Sequence, residues 1–162
     1  MLGNTAAQLT VGLEGWQQKC RVVARGGNRA VGYVGMFDLA NSDAAVTSNK
    51  SGVETSGLAS IVAPVDTGTE LKFGLFCVCA EAISDDQVGN AVYKGRVKAL
   101  CKISSGNITP GLPLTVATDG TLTANVASGD KVVGIALETI TTPTSGTLCD
   151  VLFDGIHGAG AA

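Results

Sequence analysis

The stretch Ala91-Val92-Tyr93-Lys94-Gly95-Arg96-Val97-Lys98-Ala99-Leu100-Cys101-Lys102-Ile103 decides the fold class. Tyr93, Gly95, Val97, Ala99 and Cys101 fall at every second position, with Lys94, Arg96 and Lys98 between them. Successive side chains of a strand point to opposite faces, so the pattern predicts a strand with one buried and one charged face. Upstream, Glu70 to Ile83 holds the apolar run Leu75 to Ala80, consistent with a strand buried on both faces. Downstream come short β-type runs cut by turn residues. Pro110-Gly111-Leu112-Pro113 predicts a bend, Leu114 to Ala117 a short strand, and Asp119-Gly120 a hairpin returning through Thr121 to Ala124. Ser128-Gly129-Asp130 turns again, Lys131 to Glu138 reads as a buried strand, and Thr147 to Phe153 closes the set after Pro143 to Gly146. Short strands at this spacing predict an all-β domain, a β-sandwich or β-barrel. No run of ten or more residues repeats with the helical period.

Composition agrees. Gly, Ala, Val and Thr fill 76 of 162 positions, the charged fraction is 15%, and there are seven aromatics. Disorder needs low hydrophobicity and high net charge, whereas here the hydrophobic fraction is 45% and the formal net charge −3. Leu, Glu and Lys are too few for a helical bundle. The longest apolar run is far below the roughly 18 residues of a membrane span, so no membrane partner is expected. The length fits a single domain, which buries roughly 70% of its unfolded surface.

Residues 1–29 read as an extended N-terminal arm, with Trp16 as its apolar anchor and a turn at Gly26-Gly27-Asn28. Met1 to Thr5 has neither a basic nor an apolar leader region, so nothing there directs secretion. The arm carries Lys19, Arg21, Arg25 and Arg29 against Glu14 alone, a balance of +3; residues 30–162 carry −6. This predicts either a plain polar arm or one that lies on an acidic neighbour. A pI near 5 with four basic residues makes a poor phosphate footprint, so nucleic acid is not an expected partner. The β domain is expected over 30–155, and glycines 32 and 35 suggest a bend or a close backbone approach. A long loop over 41–60 fits a functional or mobile role, and 156–162 reads as a flexible tail.

Catalytic inventory is sparse. The sole histidine, His157, lies in the glycine-rich tail, which predicts poor positioning for a base. Five cysteines, an odd number without a leader, are expected to be reduced packing groups. Cys77 and Cys79 are expected to point to opposite faces and lack the second ligand pair of a zinc site. Asp85-Asp86 precedes a turn-like Gln87-Val88-Gly89-Asn90 and reads as part of that turn rather than as paired catalytic carboxylates. Gly27 to Gly32 lacks the Gly-Lys-Ser/Thr of a phosphate loop. No catalytic residue, metal site or cofactor is assigned, and an enzyme is not expected. The ladder Lys94, Arg96, Lys98, with Lys102 beyond it, remains. It is either a solvated face that discourages edge pairing or a contact for an acidic surface, with Arg96 pairing a carboxylate through two bonds.

The order of motifs carries a resemblance. Gly95-Arg96-Val97, then Gly111-x-Pro113-Leu114, Asp119-Gly120-x-Leu122-Thr123, Val133-Gly134-Ile135-Ala136-Leu137-Glu138 and Val151-Leu152-Phe153-Asp154-Gly155 resemble a tailed-phage capsid cement, or head decoration, family. The resemblance spans residues 91–155 and does not extend to the first 90. It implies a β-tulip-like domain and a structural virion protein on the capsid exterior of a bacteriophage, assembled in the host cytoplasm. Such a protein stabilises the head by bridging neighbouring coat subunits, with the major capsid protein as partner and a homotrimer ahead of a dimer. The residues expected at the capsid contact are Trp16, Arg21, Arg25, Arg29, Lys94, Arg96 and Lys98. The alternative is a phage tail, fibre or surface binding module recognising a host carbohydrate or protein, with loop 41–60 as its recognition element. Against it stands the shortage of exposed-type aromatics for sugar stacking: Trp16, Tyr33 and Tyr93.

Overall fold

The computed structural model describes residues 17–38, 58–64, 74–124 and 130–157, and every regular element among them is a strand. In chain order these are β1 (Gln18–Ala24), β2 (Val34–Phe37), β3 (Ala59–Val62), β4 (Phe76–Cys79), β5 (Val88–Cys101), β6 (Asn107–Ile108), β7 (Pro113–Val116), β8 (Leu122–Thr123), β9 (Gly134–Ala136), β10 (Ile140–Thr141) and β11 (Thr147–Asp154). The fold is all-β, and of the two expected architectures it is the barrel.

Pairing follows the circuit β1-β3-β2-β4-β5 and returns to β1, which closes a five-stranded barrel. A second circuit, β5-β11-β9-β7-β8, returns to β5 through the parallel pair Cys101 and Leu122. An odd ring cannot alternate direction all the way round. Each circuit accordingly has one parallel contact, β1 with β3 in the first and β5 with β8 in the second. β6 and β10 form a separate two-stranded ribbon.

β5 serves both circuits, and a bulge lets it do so. Its register against β1 passes from Gln18 opposite Lys94 to Lys19 opposite Val92, leaving Tyr93 as the extra residue. Side-chain parity shifts there. Ala91 faces the first core, whereas Val97, Ala99 and Cys101 face the second. The alternation expected from the sequence therefore holds from Gly95 to Cys101 and breaks at Tyr93, which packs against the first core.

That first core is made of small groups: Val22, Ala24, Ile61, Cys77, Cys79, Ile83 and Ala91. Gly35 shows how close its walls stand, since a Cβ there would lie 2.9 Å from Ile61 Cδ1. The second core is larger in membership and in side chains, with Phe76, Phe153, Ile108, Leu114 and Leu122 fully buried.

Several expectations need correction. Val88 to Asn90, read as a turn, open β5, and the buried strand expected over Lys131 to Glu138 is the short β9, with Ile135 and Leu137 exposed. Residues 18–24, assigned to the arm, form a barrel strand whose Val22, Val23 and Ala24 are buried. Their polar first half, Gln18 to Arg21, disguises the strand. Cys77 and Cys79 do not diverge: both point into the first core. A strand repeats every two residues, so positions i and i+2 share a face. The remainder of the arm (1–16), residues 41–57 of the long loop and 158–162 of the tail lie outside the described residues. Ala59 and Ser60 of that loop belong to β3.

Candidate functional site

The candidate site is the outer face of β5, β11, β9 and β7. Register sets Asp154 opposite Lys94, Leu152 opposite Arg96 and Asp150 opposite Lys98. Lys94 Nζ lies 3.1 Å from Asp154 Oδ2, and Arg96 Nη2 donates to Asp150 Oδ2 at 2.8 Å. Lys98 Nζ stands 3.6 Å from Asp150 Oδ1 and 3.7 Å from Glu138 Oε1. Glu138 in turn accepts the backbone N–H of Asp150. The three cations are thus matched by three carboxylates brought by β11 and the segment after β9, so these charges balance among the described residues. Partly exposed pairs of this kind contribute about 0.2–1 kcal/mol each. Partial burial pushes the Asp154 carboxyl up, but the His157 and Ile156 N–H groups and the Lys94 ammonium outweigh it and hold it below the usual carboxylate range.

Apolar side chains cross the same face. Pro113 pairs with Ile135, Ile135 with Leu152, and Leu152 with Arg96, giving one row over four strands. Ile135 and Leu152 are 42% and 43% exposed, values unusual for large aliphatic groups. Leu137, whose N–H donates to the Asp150 carbonyl, and Leu148 are also exposed.

The other expected contact residues divide. Arg21 is exposed on β1, opposite Asn90. Arg25 donates to Asp86 Oδ1 at 2.6 Å. Gly27 N–H donates to Asp85 Oδ1, and Asp85 N–H to Asn28 Oδ1, so Asp85-Asp86 staples one turn to another. Arg29 is buried, donates to the Arg25 carbonyl and lies 5.1 Å from the centre of the Tyr33 ring. Arg25 and Arg29 are therefore engaged inside the molecule. Trp16 lies outside the described residues. Gln17 donates its side-chain amide to the Arg96 carbonyl, so the chain enters β1 beside the ladder.

Several features escaped the sequence reading. Lys131 is buried and donates to the carbonyls of Gly74, Gly155 and Ile156, joining the entry to β4 with the exit from β11. Burial pushes its ammonium below the usual lysine value, which the Asp154 carboxylate partly offsets. Lysine in a β-type run carries no signal of such a role. At the other end of the second circuit, an open groove of about 490 Å³ is lined by Lys102, Asp119, Thr121, Thr123 and Thr144 among others. Lys102 Nζ and Thr121 Oγ1 both donate to Asp119. Partial burial would raise the Asp119 carboxyl, but these bonds outweigh it and hold it low.

His157 is held at the surface, its N–H donating to Asp154 Oδ1 at 2.8 Å. Burial pushes the thiol of Cys79 up to about 12 and that of Cys77 well above its ordinary value, which suits packing rather than nucleophilic attack. Among the described residues no three His, Cys, Asp or Glu side chains are placed to share a metal ion.

No protein-family model matches the sequence, and no curated protein does. The fold does have a solved counterpart. The chain is similar to the head fibre gp8.5 N base of bacteriophage phi29, with a TM-score of 0.53 and 13% identity. The match covers 86% of this chain and 96% of that one. Likeness at this identity establishes a shared fold.

Proposed function

We infer that the chain is a structural protein of a phage virion, bound to the outside of the head shell. The carrying observation is the fold match to a head-fibre base, which takes in most of this chain and nearly all of that module. Within this reading the chain acts as a cement or decoration protein, bridging neighbouring coat subunits. Pressure from packaged DNA pulls coat subunits apart, and a bridging protein adds interface that must be lost before the shell opens. Each contact can be weak, because copies on a lattice act together.

The partners of this reading are the major capsid protein and further copies of the chain, as a trimer first and a dimer next. Assembly would occur in the host cytoplasm, without nucleic acid or membrane as partner. Gln17 and Gln18, at the start of β1, lie beside Arg96 and Lys94, which supports an arm that acts together with the ladder. The arm then supplies backbone pairing to an exposed coat-protein edge, with Trp16 as anchor.

A second reading, a fibre or surface module that recognises the host, is favoured by the fibre-base likeness and the hydroxyl-lined groove. Copy number separates the two. Quantitative mass spectrometry of purified particles should find the chain in a fixed, near-stoichiometric ratio to coat protein if it is cement. A sparse ratio supports a fibre base. Co-sedimentation with heads lacking the chain tests the arm: deletion of residues 1–16, which spares β1, should abolish binding, and unchanged binding removes the arm from the account.

A further inference from the structure

We propose that the outer face of β7, β9, β11 and β5 is the surface through which copies of this chain associate with one another. The proposal rests on the virion reading only for its setting; the chemistry of the face stands without it.

Among the described residues the exposed large hydrophobics are Val31, Ile135, Leu137, Leu148 and Leu152. Four of the five are on β9, β11 or the residue following β9, and Val31 adjoins Gly32, against which Leu148 packs. Aliphatic groups scattered over a surface need no explanation, but a contiguous set on one sheet face marks an interaction site.

Charge selects the occupant. The chain carries −3 overall, so copies repel one another on average. On this face, however, Lys94, Arg96 and Lys98 are balanced by Asp150, Asp154 and Glu138. Two copies can bring it together without that cost. The charges are also sorted, with cations along β5 and carboxylates along β11 and beyond. A second copy facing the first and offset by one strand, about 4.8 Å, sets its carboxylate column over the cation column. The apolar row of Pro113, Ile135 and Leu152 then meets its like. A strongly acidic or basic partner would set like charge against one of the two columns, which a second copy avoids by the offset.

Sedimentation equilibrium of the full chain, from about 1 µM to about 1 mM, tests this. The wild type should associate reversibly, and Ile135→Asp with Leu152→Asp should raise the dissociation constant at least about 30-fold, as expected for central interface residues. Both side chains are exposed, so the thermal midpoint should move little. Where the double variant fails to fold, Leu152→Lys alone serves. Lys98→Glu should weaken association, and Lys98→Glu combined with Asp150→Lys should restore it. A wild type that stays monomeric throughout, or variants that associate as before, overturns the proposal. Head binding is read separately. Variants that are monomeric yet still bind heads refute a need for self-association in binding and leave the face as the self-contact. Variants that stay oligomeric but lose head binding assign the face to coat protein and overturn it.

Discussion

The two circuits that share β5 are built by different means. The first closes around Val, Ala, Cys and Ile, with glycine where its walls nearly touch. The second closes around Phe, Leu and Ile and takes in the outward row of β2 and β4: Val34, Met36, Phe76 and Val78. The walls of the first ring stand so close at Gly35 and Ile61 that small side chains fill its interior, and each carries little transfer energy. Stability is therefore expected to be concentrated in the second circuit and at the junction, while the first circuit depends on closeness of fit. The abundance of Gly, Ala, Val and Thr is the compositional trace of that geometry.

The strongest test of this difference is Phe153→Ala against Cys79→Ala. Phe153 is almost wholly buried in the second core, and its truncation should cost about 3–5 kcal/mol in denaturant unfolding. Equal losses at the two sites would break the comparison. At the junction, a Cβ on Gly155 would lie 2.0 Å from the Phe76 carbonyl oxygen, a backbone atom with little room to retreat. Gly155→Ala should therefore cost about 3 kcal/mol, read from the same unfolding curves. Lys131→Met removes the ammonium that three carbonyls share across that junction. A loss of about 1–3 kcal/mol is expected, with faster amide exchange at Phe76 and Gly155 than in β1. Cys79→Ala in the first core should cost about 1 kcal/mol, since it deletes one heavy atom.

Acid should produce the smallest effect. Asp154 and Asp119 are both held below the usual carboxylate range in the folded chain. A depressed folded value means that their contribution is present above the unfolded value and is lost as pH falls through the folded one. The thermal midpoint should decline below about pH 4, and the decline should be shallower in Asp154→Asn. An unchanged slope would show that this carboxylate contributes no pH-dependent stability.

Much of the fold was legible because one buried face imposes alternation. Gly95 to Cys101 alternates as expected, and Asp119-Gly120 makes the turn between β7 and β8. Phe76 to Cys79 is buried at every position, as a continuous apolar run suggests. What stayed hidden depends on contacts distant in sequence. The bulge at Tyr93 arises from how β1 and β5 fit together, not from Tyr93 itself. The ladder cations were visible, but their carboxylates come from residues 40 to 60 positions away, so a charge-balanced ladder looked like a basic one. A local signal for the apolar row did exist. In β11 the outward positions Leu148, Asp150, Leu152 and Asp154 mix leucine with aspartate where solvent alone would favour polar groups throughout.

The central claim, a virion protein on the head exterior, is tested most directly by cryo-electron microscopy of particles that carry this chain. The account expects density for two closed strand circuits sharing β5, on the outer surface of the shell. Density of that shape on the tail alone, or purified particles wholly without the chain, would contradict it.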